Sequence, residues 1–438
     1  MSDLPKYTHY KESGVEWLGK IPDHWMIRRL KYVIQNISDK VNAKESELKY
    51  LGLENIESFT GKLVYSVELE SEGVAHKFQK NDVLFGKLRP YLAKVYLADK
   101  IGLSSTEALI FRASEQILPK FLLYYCLSQD FINEVNGTTF GSKMPRASWD
   151  SISSFKMCFP KKEEQKAIVS FLDKKIAQID TLISKQEMLL EKLAEQRIAL
   201  ISHAVTKGIN PDVEMKESGV EWLGKIPDHW QLIKNKFILN FLKGLTITKE
   251  NLVDEGIPCV NYGEIHSKFG FEVDPNKHDL KCVPEIYLEN FPNAVLKKGD
   301  FIFADTSEDI KGSGNFTYLN SEIPTFAGYH TIIAKINKVN YPRYLAYLFD
   351  CGNYRNQIRA QVKGIKVFSV TQFMLKNCII WLPPLEEQKV IVSFLDKKID
   401  RIKSTELSLY ECITKLKEYR SALITQAVTG KIDVRNLN

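Results

Sequence analysis

The chain has 438 residues, 44% hydrophobic and 26% charged, with a formal net charge of +6. That length holds two or more globular domains, each large enough for its own core, and the composition excludes a disordered or fibrous chain. The mild basic excess is compatible with nucleic acid without requiring it. No run of about 18 apolar residues occurs, so no membrane span is expected. The opening MSDLPKYTHY lacks the apolar core of a secretory signal. Seven scattered cysteines (Cys126, Cys158, Cys259, Cys282, Cys351, Cys378, Cys412) form no C-x-x-C pair, which points to reduced thiols in a cytoplasm.

The first element is the phrase KESGVEWLGKIPDHW, Lys11 to Trp25. It recurs unchanged from Lys216 to Trp230, an offset of 205 residues. A period of half the chain is a duplicated domain, not a solenoid repeat. Glu163 to Ile179 matches Glu386 to Ile402 at an offset of 223, and Ala204-Val205-Thr206 matches Ala427-Val428-Thr429 at the same offset. Between these markers the halves diverge. A faint echo joins Asn81–Gly86 to Gly299–Ala304, and Gly141 and Lys143 fall opposite Gly364 and Lys366. Near-identical frames therefore surround two inserts that have drifted apart. The predicted domains are 1–160 (with the N-terminal arm), a spacer helix at 161–208, a second domain at 209–383, and a second helix with tail at 384–438.

Each insert is predicted as a compact mixed α/β (α+β) body. In the first, strands are expected at Val83–Phe85, Ala93–Leu97 and Ala108–Phe111, and a helix over Lys120–Leu127. Its loops carry Lys87, Arg89 and Tyr91, then Ser105 and Thr106, then Lys143 and Arg146. In the second, strands are expected at Phe301–Phe303 and Thr331–Ala334, and a helix over Arg343–Phe349. Its loops carry Ser307, Lys311, Ser313 and Asn315, then Tyr329, then Lys363 and Lys366. Arg and Lys address guanine edges or phosphates, Asn suits adenine, and hydroxyls suit phosphate. Taken singly, such a loop residue is more often just solvated.

The frames read as long helices. From Gln165 the apolar positions Leu172, Ile176, Ile179, Ile183, Leu190, Leu193 and Leu200 step by threes and fours, interrupted by Gln186 and Arg197. The second seam runs Leu395, Ile399, Ile402, Leu409, Ile413, Leu416 and Leu423, interrupted by Glu406 and Arg420. Glutamates sit in each first turn, where the helix dipole favours them, and Gly208 and Gly430 mark the ends. A helix of about 38 residues is roughly 57 Å long. The expected partner of each seam is the other helix, antiparallel across a pseudo-twofold axis. Ordinary core helices or a homodimer seam are the alternatives.

Enzyme signatures fail. Gly14–Lys20 and Gly219–Lys225 fit G-x-x-x-x-G-K, but Ile21 and Ile226 stand where Ser or Thr would hold magnesium. They read as turns packed by Trp17 and Trp222. Pro211–Lys216 contains nuclease-like letters crowded into a linker. The Asn/Asp-Pro-Pro-aromatic loop of an amino-methyltransferase is missing from the sequence, as is a glycine-rich cofactor fingerprint. His24 and His229 belong to the repeated phrase and read as structural. No catalytic residue and no metal ligand is assigned.

The repeated SGVEWLGKIPDHW, the Pro-x-x-Glu-Glu-Gln-Lys run opening each helix (Pro160–Lys166, Pro383–Lys389) and the closing Ala-Val-Thr resemble the specificity subunits of type I restriction–modification systems. The resemblance covers essentially the whole chain, each motif occurring twice in the same order. The order Lys207-Gly208 against Gly430-Lys431 is its one small asymmetry. It implies two target recognition domains, one per half of a split DNA site, with the coiled-coil helices as the ruler between them. It implies double-stranded DNA, two modification subunits and two ATP-dependent restriction subunits as partners. Trp17, Trp25, Trp222, Trp230, Gln165 and Gln388 are the candidate partner-binding residues. S-adenosylmethionine, ATP and Mg2+ would belong to the partners and none to this chain, which would direct the chemistry without performing it. A self-contained methyltransferase or nuclease and a protein-only scaffold are the competing readings.

Overall fold

The computed structural model describes residues 4–64 and 73–437. The chain forms two compact units: residues up to Met188 joined by those from Leu409 onward, and Leu189–Ser408. These units cut through both long helices, whereas the predicted boundaries fall at the helix ends. The reason is packing, since each half of a helix is buried against a different insert.

In the first unit one four-stranded sheet has the order Ile34–Ile37, Ala108–Ala113, Val83–Gly86, Val95–Leu97, all antiparallel. A second sheet runs Lys40–Asn42, Val74–Phe78, Gly102–Ser104, Tyr50–Leu51. The helix Pro119–Leu127 packs on the first sheet, and Phe85, Phe111, Phe121 and Phe131 fill the core between them. In the second unit a five-stranded sheet runs Leu239–Lys243, Thr331–Ile336, Phe301–Ala304, Phe316–Leu319, Phe271–Val273. The helix Pro342–Asp350 covers it through Phe301, Phe303, Phe316 and Phe349. Every predicted strand and helix of the inserts is present, with ends shifted by a residue or two. Ala93 is the exception: it precedes its strand in a left-handed conformation. Each unit also holds a further helix the sequence did not announce, Gln129–Gly137 and Gly352–Arg359.

The long helices span Lys162–Lys207, 46 residues, and Leu385–Val428, 44 residues. They run past the roughly 38 residues expected, beginning three residues before Gln165 and Gln388 and continuing further at the C-terminal end, and are about 69 and 66 Å long. Gly208 and Gly430 close them at φ 75° and 73°, a left-handed stop that glycine enters freely. In the first unit Leu172, Ile176 and Ile179 are buried in one core with Leu423 and Ile424. Glu164 lies near Lys431 through the repeated phrase, while Asp180 pairs with Arg420 at 3.1 Å, so the two segments run antiparallel. In the second unit Ile201, Ala204 and Val205 share a core with Ile391, Leu395 and Ile399. Of the expected seams, Leu172, Ile176 and Ile179 of the first helix and Leu395, Ile399, Ile402, Leu409, Ile413 and Leu423 of the second are buried, while Ile183, Leu190, Leu193, Leu200 and Leu416 are only partly covered.

The frame motifs now have a physical reading. Glu164 accepts hydrogen bonds from Trp25 Nε1 (2.9 Å) and Tyr7 Oη (2.7 Å) and pairs with His24 Nε2 (2.7 Å). Glu387 receives Trp230 Nε1 (3.1 Å) and His229 Nε2 (2.6 Å) in the same way. Gln165 accepts from the Leu118 amide and donates to the carbonyls of Gln116 and Pro160. Gln388 accepts from Tyr341 and donates to Pro383. The adjacent Glu and Gln of the motif thus bolt the repeated phrase and the insert to one helix start. A second bolt joins Lys120 and Tyr124 to Asp173, matched by Arg343 and Tyr347 on Asp396. The Lys-Gly against Gly-Lys asymmetry disappears in space: the ammonium of Lys207 reaches the carbonyl of Lys225, and that of Lys431 the equivalent carbonyl of Lys20.

Candidate nucleic-acid interface

In the first unit three separate loops converge at one corner of the main sheet. The Lys87 amide donates to Glu107 O (2.9 Å), the Ala147 amide to Lys87 O (2.9 Å), and the Arg89 amide to Pro145 O (2.8 Å). Leu88 pairs with Arg146 as an antiparallel bridge. Lys87, Arg89, Tyr91, Ser105, Thr106, Lys143 and Arg146 are thereby gathered from three stretches of sequence onto one rim. Arg89 holds φ 52° and Ala93 φ 45°, left-handed values that cost a non-glycine residue energy and tend to collect at functional sites. They bracket Pro90–Leu92, a short 3-10 turn that carries Tyr91 outward. Arg146 Nε is 3.0 Å from Glu107 Oε2, which fixes its guanidinium at the rim.

The second unit repeats this corner bond for bond. The Asp305 amide donates to His330 O (3.1 Å), the Val370 amide to Asp305 O (2.8 Å), and Thr306 pairs with Ser369. Positions 87, 107 and 146 correspond to 305, 330 and 369. The backbone is the same and the chemistry is not: Lys, Glu and Arg in one, Asp, His and Ser in the other. His330 stands at φ 55° with its Nδ1 3.2 Å from Asp305 Oδ1.

Not every predicted contact faces outward here. Ser307 and Ser313 are buried and both hydroxyls turn to the Asp309 carbonyl, closing the Asp305–Asn315 loop on itself. Asn315 bonds His266 Nδ1 and receives Arg355. Lys311, Lys363 and Lys366 stand exposed. Tyr329 is half-buried, and burial, with Tyr262 and Glu264 nearby, raises its phenol above the usual value.

Sequence reasoning missed Glu107, Tyr262, His266 and Ser369. Tyr262 lies 5.3 Å from the His330 ring, 5.8 Å from Tyr329 and 6.2 Å from His266, forming an aromatic group behind the corner. His76 was missed in the first unit. Burial, then the charges of Lys87 and Lys40, hold its imidazole below the usual value. No sequence pattern marks these residues; they arrive by strand pairing.

The frame residues divide by exposure. Trp25, Trp230, Gln165 and Gln388 are 0–2% exposed and their polar groups are engaged inside the fold. They hold the frame and do not present a surface. Trp17 is half-buried, its ring 6.4 Å from Tyr125, and Trp222 is 44% exposed, 5.9 Å from Trp381.

A family model for the type I restriction modification DNA specificity domain matches residues 22–192 and 227–414. The specificity subunit of the type I restriction enzyme MjaVIII from Methanocaldococcus jannaschii is 25% identical over 447 residues, covering 98% of both chains. The EcoKI specificity subunit of Escherichia coli is 21% identical, covering 94% of this chain and 90% of its own. Among solved structures, a chain from work on complex assembly and conformational transition of the type I R-M system superposes with TM-score 0.74 at 18% identity, covering 93% of this chain and 98% of its own. The HsdS subunit from Thermoanaerobacter tengcongensis gives TM-score 0.55 at 18% identity, covering 96% and 100%. The two structures share the fold, and the two matched segments of the family model carry the assignment: the chain belongs to the type I restriction modification DNA specificity family.

Proposed function

We propose that the chain reads an asymmetric bipartite DNA site, one half-site at each corner, with the long helices setting the unspecified spacer. As a type I specificity subunit it is the non-catalytic, DNA-recognising member of a system that acts with partner subunits. The observation that carries the bipartite reading is the corner built twice with identical backbone bonds and different side chains. A surface meant for one common partner would keep its side chains, as the frames do. A surface meant for two base sequences must change them. Arg89, Arg146, Lys87 and Lys143 are assigned to the first half-site, and Asp305, His330, Lys311, Lys363 and Lys366 to the second. An Asp or Glu there accepts from cytosine N4, and Arg or Lys donates to guanine or phosphate. Tyr91 and Tyr329 supply stacking or phosphate contact.

The frames meet the shared partners. Two modification subunits and two restriction subunits fit a chain whose frame occurs twice, and Trp17 and Trp222 are the frame tryptophans with outward surface. S-adenosylmethionine, ATP and Mg2+ are assigned to those partners, and the complex to the cytoplasm. Exchanging residues 26–160 for the insert of another family member, followed by methylome sequencing of cells carrying the complex, tests the reading. One half-site is expected to change completely and the other to remain. Change in both, or in neither, overturns it.

A further inference from the structure

Both corners end in the same projecting bend. Gly141–Met144 and Gly364–Val367 occupy equivalent positions, each beside the corner pairing just described. A Cβ on Gly141 would lie 3.2 Å from the Met144 carbonyl oxygen, and one on Gly364 would overlap that of Val367. The chain therefore doubles back tightly in both. The first bend is pinned at its base by two hydrogen bonds between Phe140 and Arg146.

What these bends carry is unusual for solvated loops. Phe140 is 62% exposed, Met144 48%, Ile365 97% and Val367 52%. A single exposed apolar side chain needs no explanation. Two on the same short bend, in each of two inserts whose sequences have drifted apart, do. Each bend also carries a lysine at the equivalent position, Lys143 and Lys366, and the second adds Lys363. Apolar tips flanked by ammonium groups suit a polyanion with an apolar interior reached between its charges. A stacked duplex is such a ligand: lysines hold the phosphates while the tip enters between bases.

We infer that these bends are wedges, and that Phe140 with Met144, and Ile365 with Val367, insert into a base step of their respective half-sites and unstack it. The inference rests on the half-site reading above and adds a mechanical act to it. Prising a step open lowers the cost of extruding a neighbouring base for any partner that must reach it. Tyr91, exposed on the turn Pro90–Leu92 of the first corner, offers a face on which a displaced base stacks.

The test uses the full chain, alone and assembled with its modification subunit. Binding is measured to duplexes of its methylome-defined site with an abasic position scanned through each half. Ile365→Ser, at an almost wholly exposed position, is expected to weaken binding to intact DNA by roughly tenfold. One abasic position in the second half-site should restore it to within about twofold of wild type. Phe140→Ser combined with Met144→Ser should be rescued only in the first half-site. Lys366→Gln, by contrast, should weaken all duplexes alike and lower the salt slope by about one. Circular dichroism confirms folding of each variant. Unaltered binding by Ile365→Ser, or equal loss on every duplex with no lesion that rescues, overturns the wedge; the second result assigns the bend to a partner protein. Wild-type chain that discriminates no DNA sequence would instead remove the half-site reading on which the wedge stands.

Discussion

Gln165 shows how one side chain spans levels. Its amide serves three backbone groups, on the helix start and on the loop entering the insert's helix, and it is fully buried. Gln165→Ala leaves those groups unpaired, which costs about 1–3 kcal/mol. A lowered denaturation midpoint with partner capture intact is expected; lost capture at unchanged stability would make Gln165 a contact residue instead. A second residue-scale expectation concerns acid. Burial alone would raise the Glu272 carboxyl, but Asn320, Arg343 and Tyr318 donate to it, and the balance holds it below its ordinary value. A depressed carboxylate stabilises the fold above its unfolded pKa, near 4.3, and that stability is lost as pH falls through the folded value. Unfolding of the second unit should therefore steepen below about pH 4.3, and Glu272→Gln should flatten that limb while lowering stability at neutral pH. An unchanged acid limb in the variant would contradict the assignment. At this scale the sequence was half legible. The repeated Trp, Glu and Gln advertised their importance, but identical spacing says nothing about direction. Trp25 faces in and Trp222 faces out, although both belong to the same repeated phrase.

The elements were easier to read than the site. Heptad spacing located both helices, because a seam of Leu and Ile has few other uses, and the β-branched runs located the central strands. The corner was not legible as one object. Its loops were named singly, and only strand pairing across more than fifty residues brings Lys87, Glu107 and Arg146 together. Ser307 and Ser313 looked like phosphate ligands in sequence, yet a loop must satisfy its own carbonyls first. The helices carry their own prediction. Deleting one heptad from the middle of each keeps both seams in phase and removes about 10 Å of rise, near three base pairs. The methylated site should keep both half-sites and lose about three positions of spacer. An unmoved spacer would show that the helices do not measure it.

At the scale of the whole molecule the two units share one plan but are assembled differently from the chain. The second is continuous, from Leu189 to Ser408. The first needs both ends of the described chain: the Asp433 amide donates to Pro5 O, Tyr10 Oη donates to Lys431 O, and the Arg435 guanidinium lies 5.0 Å from the Tyr7 ring. Leu423, Ala427 and Val428 fill the core beside Trp25 and Leu172. During synthesis the ribosome has released every residue of the later unit before it delivers the last helical turns that the earlier unit requires. The half encoded first is thus completed last. Its repeated phrase and core wait with an open apolar cleft, which the other half never has to display for so long.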